Sequence, residues 1–467
     1  MSNHQKFTMQ AIPSLDQLLR TPELARLRKS VGLPHLRTIA REVVDELREQ
    51  LQANGLKEST RAELMGQAVG RIQSRCEHES LSTLRRVINA TGVIVHTNLG
   101  RAPLSESARK AVLEEAAGYC TLEYDSTIGE RGQRGAYVEE LLIQLTGAEA
   151  ALVVNNCAAA ALLILTVLAG DGETIVSRGE LVEIGGDFRV PEVMANSGTR
   201  MLEVGSTNRT RLEDYKGAVN ENTRLIMRVH PSNYRIVGFT DSPSLASLAS
   251  LAHESGLPLY EDAGSGVLTD LSAYGVSDEP IIRESIAAGA DVVSFSGDKL
   301  LGAAQAGLIV GRGELIERLR KHSLYRALRV DKLCLAALGA TLDSHRRNAH
   351  EEIPTLQMLA LSAAAIEDRA RKFLAKLDER RAKTLTAALI PGESAIGGGS
   401  GPNVHPPTTL IALRHTELNA DEVQRRLRLF SPPVIVRIAD DQILIDLRTV
   451  QPDEEAQVLE ALFTLDS

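Results

Sequence analysis

Between Ala150 and Val310 the sequence alternates strand-length apolar runs with helix-length segments. Ala150–Val154, Thr174–Ser177, Arg200–Val204, Arg224–Val229, Leu257–Tyr260, Asp291–Phe295 and Ala306–Val310 read as strands. Ala158–Leu168, Ser242–Glu254 and Pro280–Ala288 read as helices among them. Such alternation predicts an α/β fold with a mainly parallel sheet covered on both faces. Ligands in these sheets gather outside the carboxyl ends of the strands. Residues that end a predicted strand are therefore the first candidates for chemistry.

Three such ends stand out, in chain order. Asn155-Asn156-Cys157-Ala158 leaves a strand and opens a helix, where backbone N–H groups and small side chains suit a phosphate. Many strand-to-helix turns look similar, so this motif alone does not specify a ligand. Asp262 ends Pro258-Leu-Tyr-Glu-Asp262 and precedes Ala263-Gly-Ser-Gly266, a loop with room for a flat ring. A carboxylate there can hold a pyridinium nitrogen or simply cap a helix. Glu261 is expected to point the other way, as strand neighbours do. Lys299 follows the strand Asp291–Phe295 and the break at Gly297, with small residues after it. A lysine at the end of a buried strand can lose its proton and form a Schiff base; the plainer alternative is a surface lysine in a turn. Ser296 is placed to meet a phosphate. The ordered triple of phosphate cup, strand-end aspartate and strand-end lysine is far more specific than any member.

The rest of the chain frames this core. Residues 14–75 read as helices only: Ser14 with Gln17 forms a capping box, Thr21-Pro22 opens a second helix, and a third spans Ser59 to about Arg75. Ile39, Val43, Val44, Leu47 and Leu51 share one helical face. This region is either a cap on the main body or a module gripping a polyanion through Arg26, Arg28, Lys29, Arg37 and Arg41. The net charge is −9, which by itself speaks against nucleic acid. Residues 1–80, however, hold 12 Lys+Arg against 10 Asp+Glu, a balance of +2, leaving −11 for the remainder. The loop Ile128-Gly-Glu-Arg-Gly-Gln-Arg-Gly135 suits an anion contact or a solvated turn equally. After Gly311 the pattern is helical to about Leu389, followed by Gly397-Gly-Gly-Ser-Gly-Pro402. Strands at Thr408–Leu413, Val434–Ile438 and Gln442–Leu447, with a helix at Asp421–Leu427, then make a small α+β domain. Four widely spaced cysteines and no CxxC indicate neither a disulfide framework nor a zinc site, and fit a reducing, cytoplasmic setting. The sequence shows no bilayer-length apolar run and no secretory leader. The expected domains are 1–80, 81–340 and 341–467.

The ordered triple resembles the fold type I pyridoxal-phosphate enzymes, the aminotransferase-like superfamily. That resemblance makes Lys299 the cofactor-linked lysine and Asp262 the partner of the pyridine nitrogen. It puts Asn156, Cys157, Ala158 and Ser296 on the phosphate and Asn233 near the ring hydroxyl. The stretch Gly179–Gly186 offers no aromatic or histidine to stack on the ring, so that contact stays unassigned. A closer resemblance spans nearly the whole chain. Ile88-Asn-Ala-Thr-Gly92, His96-Thr-Asn-Leu-Gly-Arg101, Gly129–Gly135, Ser294–Gly302, Arg326-Ala-Leu-Arg-Val-Asp-Lys332 and Asp446-Leu-Arg448 look like bacterial selenocysteine synthases. Gly302-Ala-Ala-Gln305 and Asn155-Asn-Cys157-Ala depart from that family's usual Gly-Gly-Pro-Gln and Asn-Asn-Asn-Ala.

The closer resemblance implies the activity of an L-seryl-tRNA(Sec) selenium transferase. Such an enzyme removes the β-hydroxyl of L-seryl-tRNA(Sec), giving an aminoacrylyl ester, then adds selenium from selenophosphate. It implies an N-terminal tRNA-binding domain, anion-binding Arg101, Arg326 and Arg329, and an oligomer built from dimers, a decamer in the family. No metal, membrane or DNA is expected. Arg326 and Arg329, three apart, fall on one side of a helix or face solvent there. Arg437 and Arg448 are expected to be structural, because a seryl ester has no free carboxylate to bind. The alternatives are a pyridoxal-phosphate lyase acting on a free small amino acid or amino sugar acid, and a non-enzymatic DNA-binding regulator. The regulator needs a basic recognition helix, and the third helix offers only Arg61, Arg71 and Arg75, with Gly66 and Gly70 weakening it.

Overall fold

The computed structural model describes residues 11–53, 60–81, 84–184, 188–379 and 384–466. The chain divides into two compact units, Met1–Arg86 and Val87–Ser467.

The first unit contains α1 (Leu15–Leu19), α2 (Pro22–Val31), α3 (Leu33–Ala53) and α4 (Arg61–Leu81). Ser14 accepts from Gln17 N–H at 3.3 Å while Gln17 Oε1 accepts from Ser14 N–H at 3.2 Å, the expected capping box. Ile39, Val43, Val44 and Leu47 bury one face of α3 among Leu18, Leu24, Leu36 and Ile72. The third predicted helix runs on to Leu81, past the expected end at Arg75, and Ser59 lies outside the described residues. Its arginines turn inward on their own unit. Arg75 meets Glu42 and Glu46, Arg71 donates to Gln50 Oε1, and Arg61 donates to Gln17 Oε1. Such a helix does not present a free basic face. On α2 and α3, by contrast, Arg26, Lys29, Arg37 and Arg41 are exposed with no ion pair to a described residue.

The second unit opens with β1 (Ile88–Asn89) and then builds the large sheet. Its strands are β2 (Ala150–Val154), β3 (Glu173–Ser177), β4 (Arg200–Val204), β5 (Thr223–Val229), β6 (Leu259–Gly264), β7 (Val292–Ser296) and β8 (Gly307–Gly311). The spatial order is β2-β8-β7-β6-β5-β3-β4. Every neighbouring pair is parallel except those made by β8, which runs antiparallel to both β7 and β2. Helix α5 (Cys157–Ala169) is apolar nearly all round because it is packed between the sheet and other helices. Separate apolar cores cover the two sheet faces. Leu163, Ile164, Leu225 and Met227 belong to one, and Leu142, Val293, Phe295 and Leu338 to the other.

The C-terminal part differs from its sequence reading in two places. The chain is not helical through Leu389: helix α6 (Ala363–Glu379) ends, and β9 (Leu385–Glu393) begins a four-stranded antiparallel sheet. This sheet runs β9, β10 (Pro407–His415), β13 (Gln442–Asp446), β12 (Arg437–Ala439). β9 is an edge strand, which is where Pro391 and a run poor in β-branched residues are tolerated. The predicted strand Val434–Ile438 is two: β11 (Val434–Ile435) pairs parallel with β1, while β12 pairs with β13.

Candidate active site

Lys299 lies in the connection between β7 and β8, and it is only 5% exposed. Gly297 starts this connection, where a Cβ would sit 2.5 Å from Ala304 O, so only glycine allows so tight a closure. The turn is pinned by Ala303 N–H to Gly297 O and by Leu300 N–H to Ser265 O. Gly264, at φ +68°, ends β6 beside it. A Cβ added there would stand 3.9 Å from Lys299 Nζ and 4.0 Å from Ser232 Cβ. Those are ordinary contact distances, so it is the left-handed backbone rather than lack of space that calls for glycine here.

Asp262 sits on β6 in register with Ser294 on the neighbouring β7. Its Oδ1 accepts from Ser294 Oγ at 3.1 Å and from Cys157 Sγ at 3.4 Å. Its Oδ2 has no hydrogen bond from any described residue. Burial pushes the carboxyl up from its ordinary range, and the Cys157 contact, the charge of Lys299 and the Ser294 hydrogen bond pull against that rise. Glu261 is buried too, and burial raises its carboxyl.

The turn into α5 is built as a cap. Asn156 accepts from Ala159 N–H at 2.8 Å, and its backbone is extended, as an N-cap requires. The N–H groups of Cys157 and Ala158 find no acceptor among the described residues, leaving two donors at the start of a 13-residue helix. Burial, then the charge of Asp262, pushes the Cys157 thiol well up, which keeps it protonated and unreactive.

Other expected site residues have definite places. Ser296 is buried, and its hydroxyl donates to Asp298 Oδ1 at 2.8 Å, so its one proton is already engaged. Asn233 is exposed and donates to Glu183 O at 2.7 Å. Gly185 and Gly186 lie outside the described residues. Arg101, at φ +62°, pairs with Asp298 Oδ2 at 2.8 Å. Arg326 is exposed on the short helix Ser323–Leu328 and has no ion pair with a described residue. Arg329 is not on that helix: it is the extended residue just past its end, so helical spacing does not relate it to Arg326. Its guanidinium meets Glu123 at 3.3 Å, a carboxylate that also holds Arg131 at 2.9 Å and Arg134 at 3.1 Å. The two arginines of the glycine-rich loop therefore share a counter-ion with Arg329, whereas Arg101 is tied to the lysine turn. Arg448 is buried and donates to Ser394 Oγ and to three carbonyls, which is structural work.

Sequence reasoning missed several neighbours. Asp298 joins Arg101 to Ser296, and the signal was an acid directly before the lysine. His230 follows β5; its N–H donates to Asp262 O at 3.0 Å and its Nε2 lies 3.2 Å from Glu279 Oε2. Burial alone would raise the Glu279 carboxyl, but the His230 contact and the N–H of Gly401 hold it below its ordinary value. Glu279 lies outside any strand or motif and carried no sequence signal.

The sheet order, with a buried lysine at the β7–β8 turn and a buried aspartate on the adjacent strand, defines an aminotransferase-like core of fold type I. The solved structure of D-glucosaminate-6-phosphate ammonia-lyase shares this fold, at a TM-score of 0.57 and 21% identity, covering 83% of this chain and 97% of that one. At the sequence level the relationship is far closer. Residues 87–451 match the family described as L-seryl-tRNA selenium transferase, and residues 10–48 match the selenocysteine synthase N-terminal family. The L-seryl-tRNA(Sec) selenium transferase of Geobacter sulfurreducens is 46% identical over 458 residues, 98% of this chain and 99% of that protein. That of Moorella thermoacetica is 46% identical over 456 residues, 97% and 96% of the two chains. That of Solidesulfovibrio magneticus is 47% identical over 444 residues, 92% and 93%. The chain belongs to the L-seryl-tRNA selenium transferase family. Among the described residues no helix is long and apolar enough to cross a membrane, and no group of three or more His, Cys, Asp or Glu could hold a metal ion.

Proposed function

We propose that the protein converts L-seryl-tRNA(Sec) to L-selenocysteinyl-tRNA(Sec) with selenophosphate as selenium donor, using pyridoxal 5'-phosphate. The observation that carries this reading is the vacant oxygen of Asp262 in the same buried site as Lys299. A pyridinium nitrogen needs such an acceptor, and the two N–H groups at the start of α5 suit the cofactor's phosphate. When bound, the cofactor supplies an electron sink for the bond changes at the substrate's α- and β-carbons.

The chain's own residues do the rest. Lys299 would hold the cofactor, and its Nζ is the base that would take the substrate's α-proton. Asp262 Oδ2 would hold the ring nitrogen, and Cys157 and Ala158 N–H would hold the phosphate, with Asn156 fixing the helix start. Ser296 acts through Asp298, to which its proton is given, and Asn233 would meet the ring hydroxyl. Arg101, positioned by Asp298, joins Arg326 and Arg329 in holding the anionic selenium donor near the β-carbon. The serine oxygen departs as water, selenium takes its place, and water cleaves the selenium–phosphorus bond to release phosphate.

Residues 1–80 form the tRNA-binding domain, residues 81–340 the cofactor-binding core and 341–467 the C-terminal domain. The exposed cations on α2 and α3 support the first assignment. Leu113, Tyr119, Ile128 and Tyr137 are exposed apolar side chains within one stretch of the core. They support an active form assembled from dimers; the decamer and the cytoplasmic setting rest on the family resemblance.

The test is an absorbance titration of the purified protein with seryl-tRNA(Sec), an ordinary seryl-tRNA and free L-serine in parallel. A spectral change with seryl-tRNA(Sec) alone is expected. A response to free serine with none to tRNA supports instead a lyase acting on a free small amino acid. No chromophore after addition of pyridoxal phosphate overturns both readings.

A further inference from the structure

Asp262 is surrounded by donors in two layers. Ser294, on the neighbouring strand, gives its only proton to Oδ1. Its oxygen lies 2.8 Å from the Tyr260 hydroxyl, so the tyrosine is the donor in that contact. Tyr260 precedes Asp262 by two residues on β6 and therefore shares its face. Cys157 Sγ, from the start of α5, reaches the same Oδ1, 3.9 Å from Ser294 Oγ. Tyr260 and Ser294 are both 0% exposed. Ser294 and Cys157 both donate to Oδ1, Tyr260 supports it through Ser294, and Oδ2 receives no hydrogen bond from a described residue.

This arrangement has a chemical purpose. A buried carboxylate with no donors takes up a proton and becomes neutral. A neutral Asp262 could not hold the proton of a ring nitrogen. Hydrogen bonds given to the charged form oppose that outcome. The ionisable groups that face Asp262 are Lys299 beyond β7, His230 beyond β5 with Glu279 behind it, Glu261 next in the chain, Cys157 on α5 and Tyr260 on its own strand. Burial, then the charge of Asp262, holds the thiol and the phenol neutral, so both remain donors.

We propose that Tyr260, Ser294 and Cys157 act together as positioning residues that hold Oδ1 of Asp262, keep the carboxylate ionised and present Oδ2 to the ring nitrogen of the cofactor. This rests on the pyridoxal-phosphate reading above and extends it to three side chains that act through Asp262 rather than on the cofactor, Cys157 meeting the phosphate only through its backbone N–H. The relay runs from Tyr260 to Ser294 to Asp262, with Cys157 as a second, weaker donor.

The experiment follows the absorbance of the full-length protein, loaded with pyridoxal phosphate, as a function of pH. A carboxylate stripped of its donors takes the ring proton for itself. The ring then loses its positive charge, and the proton on the lysine–cofactor linkage persists to higher pH. Ser294→Ala is expected to raise the absorbance midpoint by about one pH unit or more, the size of one hydrogen bond to a charged group. Tyr260→Phe and Cys157→Ala are expected to raise it less, in the same direction, and Ser294→Thr to restore the parent value. A merely structural role would lower the melting temperature of these variants and leave the midpoint where it was. The proposal is overturned if Ser294→Ala binds the cofactor and titrates at the parent midpoint. Should that variant not fold, Tyr260→Phe, which keeps the ring, decides the matter by the same criterion. A parent protein that forms no chromophore overturns the cofactor reading itself, a result distinct from an unmoved midpoint.

Discussion

Gly307→Ala tests the link between the antiparallel strand β8 and the cofactor cup. A Cβ at this position would stand 2.0 Å from Asn156 O, 2.4 Å from Asn156 C and 3.0 Å from Cys157 N. Non-bonded heavy atoms settle near 3.5 Å, so the two backbones must part by about 1 Å or more. Gly307 is held on its own side by pairing with β7 and faces Val154 on β2, which leaves the Asn156–Cys157 turn as the part that yields. Overpacking of this kind costs about 1–3 kcal/mol. Because the strain falls on the residues that carry the cap and the free N–H groups, it should appear as weaker cofactor binding. At 1.4 kcal/mol per factor of ten, the dissociation constant for pyridoxal phosphate should rise about 5- to 150-fold. The assay is a fluorescence or absorbance titration of apoprotein with cofactor, beside a thermal melt of each form. Gly217→Ala is the control, since no atom lies within 4 Å of its added Cβ; it should leave affinity unchanged and add about 0.4–1 kcal/mol of stability. If Gly307→Ala binds the cofactor as tightly as the parent, the strain is absorbed elsewhere and the reasoning fails.

Three other outcomes are expected. His345 is 4% exposed, contacts Leu301 O through Nε2 at 3.0 Å, and has its pKa pushed down to about 4 by burial. Between the ordinary value near 6.5 and about 4 the unfolded chain binds a proton that the folded chain refuses, so stability falls as pH falls through that window, by about 3 kcal/mol in all; urea unfolding at pH 7 and pH 4.5 should show a shallower dependence in His345→Gln, and an identical slope would count against burial as the cause. Arg448→Ala strips the donor from Ser394 Oγ and from the carbonyls of Met358, Leu361 and Pro407, and should cost about 3 kcal/mol or more, read as a lowered denaturation midpoint. Glu123→Gln removes the counter-ion shared by Arg131, Arg134 and Arg329, so inorganic phosphate should inhibit selenium transfer at about two- to fivefold lower concentration; unchanged inhibition would separate these arginines from the donor site.

The strands and helices of the core were legible because their lengths and order follow from backbone periodicity alone. The chain positions of Lys299, Asp262 and the Asn156–Ala158 turn followed from the same logic, since each lies close to the carboxyl end of a strand. What escaped is what depends on packing between distant segments. The first half of β9, to about Leu389, was read as helix because Leu385–Glu393 carries no alternating pattern of its own and owes its strand form to the register with β10. Arg326 and Arg329 were placed together by helical spacing, yet the helix stops at Leu328 and the second arginine turns to Glu123. Ser296 was assigned by its nearness to the lysine, and its proton instead goes to Asp298. The His230–Glu279 contact joins residues 49 apart by number across a loop, and no local pattern encodes it.

The stitching of β1 into the C-terminal part has a consequence for biosynthesis. Ile88 pairs with Val434, Ile94 N–H bonds Ala395 O, and Gly92 N–H bonds Thr449 Oγ1, 357 residues further along the chain. The segment that leads into Arg101 is therefore fastened only after its partners have left the ribosome. The large sheet, complete by Gly311, can form while that segment waits. A nascent chain should thus pass through a stage in which the lysine turn is built but its arginine is not anchored. At a synthesis rate on the order of 5–20 residues per second that interval lasts roughly 7–28 seconds. During it an early strand lies unpaired, and whatever shields that strand from other chains in the cell governs how much enzyme matures.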